Sequence, residues 1–188
     1  AFLRQQKEES YLTERVRNQW LKSLARRGQW QQFTEQYSKL SPEGTDQEVA
    51  CYAGLNDLNR QNTPSALANE LVQSNSKLTD GCNRLIAVAI QKGQIPVSSG
   101  WQRVRALLGE NHTTLARSLA NTLGSPLPAN LGAGISTGSQ GDVEGALFAA
   151  SNPKAIKDGT AISRLSALSG NLTDEQSGFV WGKIALAE

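Results

Sequence analysis

One histidine, two cysteines and two pairs of adjacent acids are the residues of this chain from which chemistry could be built: His112, Cys51 and Cys82, Glu8-Glu9, and Asp174-Glu175. A single histidine removes two-histidine metal motifs and any histidine-based triad with a spare. Asn111 before it reads as a helix N-cap, which leaves His112 in an exposed first turn. Adjacent acids on a helix diverge by about 100°, so neither pair can flank a scissile bond as two facing carboxylates must. Asp174 and Glu175 read instead as first-turn charges favoured by the helix dipole. The cysteines stand 31 positions apart with no second cysteine near either, which excludes a CxxC redox motif and a zinc knuckle. They are either buried apolar residues of a reduced protein or, in an oxidising compartment, a bridge worth about 3–4 kcal/mol, and composition leaves both readings open. Gly132-Ala133-Gly134 matches neither phosphate-binding loop pattern. Arg15, Arg17, Lys22, Arg26 and Arg27 read as a solvated helix face. No catalytic residue, metal ligand or cofactor is expected.

The elements that would position such residues are helical. Leu12, Val16, Trp20 and Leu24 recur with a helical period, as do Trp30, Phe33, Tyr37 and Leu40. Shorter runs follow in Leu67 with Leu71, Leu85-Ile86 with Ala89, Trp101 with Val104 and Leu108, and Leu115 with Leu119 and Leu123. Thr45-Asp46-Gln47-Glu48 and Thr173-Asp174-Glu175-Gln176 have the form of capping boxes. Thr63-Pro64 reads as an N-cap with a first-turn proline. Gly28, Gly93, Gly109, Gly124 and Gly170 follow periodic runs where a left-handed C-cap belongs. The predicted fold is all-α: eight to ten short helices in stacked antiparallel hairpins forming part of an α-superhelix. Its blocks are 1–127, helical hairpins; 128–145, a Gly/Ser-rich loop; and 146–188, a second short helical block of the same domain. The whole stretch from Ser125 to Gly145 reads as flexible.

With 19 Lys and Arg against 17 Asp and Glu, the net charge of +2 lacks the basic excess of a nucleic-acid binder. No apolar run approaches the roughly 20 residues of a membrane span. The chain begins at Ala1 with neither Met nor an apolar signal core, and it reads as a processed chain or a piece of something longer.

A set of packing motifs carries a family resemblance. Val16-Arg17-Asn18-Gln19-Trp20-Leu21-Lys22-Ser23-Leu24 is followed in order by Gln29-Trp30, Phe33, Tyr37, Glu48-Val49-Ala50-Cys51-Tyr52 and Gly81-Cys82. Trp101-Gln102-Arg103-Val104-Arg105 and Leu123-Gly124-Ser125-Pro126 complete the set. Over about Arg15 to Leu127, with a weaker echo around Phe179-Val180-Trp181-Gly182, the chain resembles the N-terminal superhelical region of the soluble lytic murein transglycosylases of Gram-negative bacteria. That resemblance implies a periplasmic ring of helices that holds glycan strands. It also implies a separate lysozyme-like C-terminal domain that cleaves the MurNAc–GlcNAc bond of peptidoglycan to 1,6-anhydro products. The family's catalytic Glu-Ser is followed by Gly-Leu-Met-Gln. Here Glu9-Ser10 is followed by Tyr11-Leu12-Thr13 in a chain without methionine, so no catalytic residue carries over. The resemblance further implies a Cys51–Cys82 disulfide.

The function expected on these grounds is a non-catalytic scaffold segment of such an enzyme. Its partners would be peptidoglycan and its own C-terminal catalytic domain, with Arg103 and Arg105 as possible strand contacts and a monomeric state. The alternative is a helical-repeat adaptor that binds a protein or peptide in a concave groove. A complete small enzyme is the least favoured reading.

Overall fold

The computed structural model describes residues 11–74, 76–132, 138–168, 170 and 172–186. Among them every regular element is helical, so the fold is all-α. The chain groups into two compact units, residues 1–96 and 97–188. The first holds α1 (Tyr11–Arg26), α2 (Trp30–Tyr37), α3 (Gln47–Gln61), α4 (Ala66–Val72) and α5 (Asp80–Gln91). The second holds α6 (Val97–Gly109), α7 (Thr113–Thr122), α8 (Gln140–Ala150), α9 (Pro153–Lys157), α10 (Thr160–Leu168) and α11 (Asp174–Ala185).

The first unit is organised by α3 and α5, which share its most extensive helix contact. Cys51 and Cys82 are both fully buried and joined in a disulfide with their Cα atoms 4.9 Å apart. Three positions along α3, Gly54 lies against Leu85 of α5. The two helices therefore run in the same direction, and α4 lies on the return path between them. Gly81 is required beside the bond: a Cβ there would come within 2.9 Å of the Tyr52 ring. Tyr52, Leu55, Leu58, Leu85 and Ile86 form the core between these helices, each at most 2 % exposed.

Helix α1 departs from the expected stripe. Leu12 and Val16 are exposed, and the inner face of α1 is Thr13, Arg17, Asn18, Leu21, Leu24 and Ala25. Polar tethers fix this rotation. The Asn18 amide donates to the Gly44 carbonyl at 2.7 Å and its oxygen accepts the Asp46 N–H at 2.9 Å, while Arg17 donates to Gln36 at 3.0 Å. Of the second stripe Phe33 alone is buried, edge-on to Trp30 and stacked on Tyr37.

The caps divide similarly. Thr173 and Gln176 form the full capping box of α11. At α3 the cap is Asp46, because Thr45 turns its hydroxyl back to the Ser41 carbonyl. Helix α4 starts after Ser65, two residues past the Thr63-Pro64 signal. Gly28, Gly93 and Gly124 hold the left-handed backbone expected of them, but after α6 that role falls to Asn111, and the α7 N-cap is His112 itself.

The Gly-rich stretch is the largest departure. Helix begins at Gln140, inside the expected 128–145 loop, and α8 is buried on nearly every face. Its glycines mark close approach rather than flexibility. A Cβ on Gly141 would lie 2.2 Å from the Pro126 carbonyl oxygen, and one on Gly145 would lie 2.7 Å from the Pro128 ring. The Gly141 N–H also donates to Ser125 Oγ at 2.8 Å, and Arg117 holds the Leu127 and Ala129 carbonyls. These bonds tie the segment after α7 to α8, so the residues on either side of the Gly-rich stretch belong to one compact unit. Val143, Leu147, Leu165, Leu168, Val180 and Ile184 supply its apolar core.

Three variants test this account. Replacing both Cys51 and Cys82 by Ala should lower unfolding free energy by about 3–4 kcal/mol, the chain-entropy value for a loop of 31 residues. Urea melts of oxidised protein with and without the substitutions measure it. Gly141→Ala should cost about 3 kcal/mol or more, because the clash is with backbone that cannot rotate away. Gly124→Ala, where nothing lies within 4 Å, should show only the smaller penalty of a positive φ.

Candidate functional site

The residues singled out by the sequence do not come together. Cys51 and Cys82 form the structural bond already described. His112 caps α7 without a side-chain hydrogen bond. Glu8, Glu9, Ser10, Ala133 and Gly134 lie outside the described residues. Nor is the basic face of α1 uniformly solvated. Arg17 is buried, Lys22 sits 2.9 Å from Asp46 and 3.4 Å from Glu48, and Arg26 pairs with Glu48 at 3.1 Å. Desolvation opposes ionisation of Asp46, yet Lys22 and the N–H groups at the start of α3 hold its carboxyl below the usual range. Arg15, Arg26 and Arg27 are exposed, Arg26 while paired with Glu48.

Arg103 and Arg105 are both interior, at 1 % and 6 % exposure. Burial pushes the Arg103 guanidinium below the ordinary arginine value. Arg105 reaches from α6 into a polar cluster that the linear sequence did not reveal. Its Nη1 donates to Glu144 Oε1 at 2.5 Å and its Nη2 to Glu175 Oε1 at 2.6 Å. Glu144, on α8, is fully buried, while Glu175, in the first turn of α11, is half exposed.

Glu144 Oε1 gathers two more donors. Gln140, one turn earlier on α8, donates at 2.9 Å, and Gln176 donates at 3.2 Å. Gln176 is placed by the α11 capping box: its amide oxygen accepts the Thr173 N–H, which leaves its Nε2 directed to Glu144. Glu144 Oε2 is buried with no hydrogen-bond partner. Desolvation pushes the Glu144 carboxyl above the usual range, and Arg105 and the two amides only partly oppose it.

Glu144 and Arg105 line a cavity of about 780 Å³, within the range of small-molecule sites. It is bounded by the end of α6, by α8, by the α9–α10 turn and by α11. Leu108, Phe148, Ile156, Phe179 and Ile184 supply apolar walls. Lys157 and Lys183 are exposed lining residues, and the Lys183 ammonium lies 5.9 Å from the centre of the Phe179 ring. A carboxyl that keeps its proton can act as a general acid. Here the second carboxylate, Glu175, shares Arg105 with Glu144 instead of facing it across an open gap, so the pair is not arranged to work on two sides of a bond. The arrangement is suited to binding. No group of three or more His, Cys, Asp and Glu among the described residues could hold a metal ion.

No model of a known protein family matches the chain, and no curated protein matches it.

The raised Glu144 carboxyl has a signed consequence for stability. The native state holds this proton more tightly than the unfolded chain. Its contribution is therefore complete below the ordinary glutamate range and is lost as pH rises through the elevated native value. Glu144→Gln cannot lose a proton. Relative to wild type, its urea midpoint should improve between pH 4 and pH 8, and an unchanged gap would show that Glu144 titrates normally.

Proposed function

We propose that this chain is a non-catalytic, superhelical scaffold segment of a periplasmic lytic murein transglycosylase. The chemistry would reside in a C-terminal lysozyme-like domain outside this sequence. The observation that carries the reading is the Cys51–Cys82 bond between α3 and α5. It joins the two cysteines that the family resemblance pairs, and a buried bond of this kind suits an oxidising compartment. It also joins helices that run the same way with a return helix between them, which is the local step from which stacked hairpins build a superhelix.

Other motif residues support the same reading through their packing. Leu21, Leu24, Phe33, Val49, Tyr52, Trp101 and Val104 are buried, each at most 6 % exposed. Arg103 and Arg105 serve the interior of the second unit, so contact with an acidic stem peptide would fall to exposed cations such as Arg15 and Arg27.

Two measurements test the proposal. The chain incubated with purified sacculi should release no 1,6-anhydromuropeptides by mass spectrometry, whereas a product that survives Glu9→Gln would mean an active site within this chain. In a sacculus pull-down the chain should be retained above an unrelated protein of equal net charge. Arg15→Gln with Arg27→Gln should reduce that retention several-fold, since exposed pairs contribute up to about 1 kcal/mol each. Retention no greater than the control would remove peptidoglycan as a partner.

A further inference from the structure

The cavity of the second unit has a chemistry independent of the proposed scaffold role. Its walls are apolar and aromatic, with Phe148 and Phe179 each only partly covered by the fold. One carboxylate lines it; its Oε1 is engaged by Arg105, Gln140 and Gln176, while its Oε2 is buried without a hydrogen-bond partner. The charges left to the solvent side are the ammonium groups of Lys157 and Lys183, neither of which has an ion-pair partner among the described residues. An apolar chamber whose accessible charges are all positive is complementary to a molecule with an apolar body and an anionic head. The volume of about 780 Å³ suits a small molecule. We propose that this cavity is a binding site for an amphiphilic carboxylate: the alkyl body lies against Phe148, Phe179, Ile156 and Ile184, and the head is held by Lys157 and Lys183.

Each part of the ligand meets a different physical term. Burying the alkyl body removes apolar surface from water on both sides, a contribution that grows with each methylene. The two ammonium groups select the sign of the head and hold it at the solvent boundary, where the carboxylate keeps part of its hydration. The Lys183 ammonium already lies 5.9 Å from the centre of the Phe179 ring, next to the wall that would receive the alkyl body.

The test is isothermal titration calorimetry of the intact chain with sodium dodecanoate below its micelle concentration. Dodecyltrimethylammonium, with the same tail and a cationic head, and acetate, with the head and no tail, are the controls. One saturable site per chain is expected for dodecanoate, with binding at least about tenfold weaker for either control. The chain carrying Lys157→Glu and Lys183→Glu should lose dodecanoate binding by about tenfold or more and gain affinity for dodecyltrimethylammonium. Both positions are exposed, so far-UV circular dichroism and the melting midpoint should stay at wild-type values. If that variant is unfolded, the single Lys157→Gln and Lys183→Gln chains replace it, with a several-fold loss expected for each. The absence of a saturable one-to-one site, equal binding of both dodecyl amphiphiles, or a head preference that survives the lysine substitutions would overturn the proposal. Failure here leaves the sacculus result untouched, because Arg15 and Arg27 belong to the other unit.

Discussion

Helices of 5 to 16 residues cannot hold themselves together in water, and every α-helix among the described residues is of that length. Nucleation is costly enough that isolated helices shorter than about 12–15 residues are marginal even in favourable sequences. Each helix therefore exists because a neighbour covers its apolar face, and close approach between backbones becomes the governing constraint. In the first unit that approach is between α3 and α5, where Gly81 admits the Tyr52 ring beside the Cys51–Cys82 bond. In the second it is between α8 and the Pro126–Pro128 segment, where Gly141 and Gly145 leave no space for a side chain.

Close packing explains why polar groups appear in the interior. A helix enclosed on nearly every face, as α8 is, must bury whatever polar residues it carries, and a buried carboxylate without donors would be costly. Glu144 is answered by Arg105, Gln140 and Gln176, which come from α6, α8 and α11. The cluster thereby ties three helices of the second unit at one atom. The removal of a single partner would leave charge uncompensated, which makes such a cluster a stronger determinant of arrangement than of net stability. In the first unit Lys22 and Arg26 meet Asp46 and the buried Glu48 at the start of α3.

The two proposals rest on different physics. The scaffold reading rests on helix packing within the first unit and on an oxidised cysteine pair, features compatible with a scaffold in an oxidising compartment. The amphiphile site rests on what the packing of the second unit leaves unfilled: a chamber whose internal carboxylate is engaged through one oxygen by Arg105, Gln140 and Gln176 and whose accessible charges are two lysines. A scaffold segment with a small-molecule site is physically consistent, because cavities between helices arise wherever short helices meet at angles that their side chains do not fill.

Period and punctuation determined the fold class without any tertiary information. Apolar residues recurring every three to four positions have one regular outcome, and Thr173–Gln176, Gly28, Gly93 and Gly124 end or begin helices for local reasons that the structure retains. Chemistry that needs several histidines was excluded by residue type alone. The sequence did not determine which face of α1 turns inward, because Leu12 and Val16 compete with Asn18 and Arg17, whose partners at Gly44, Asp46 and Gln36 lie 18 or more residues away. It misrepresented residues 140–145 at the end of the Gly-rich stretch for a related reason. A glycine that permits flexibility and one that permits contact are the same letter, and only the Pro126 carbonyl against Gly141 separates them. The Glu144 cluster and its cavity were equally out of reach, since Arg105 and Glu175 are 70 positions apart and become neighbours only when α6, α8 and α11 pack.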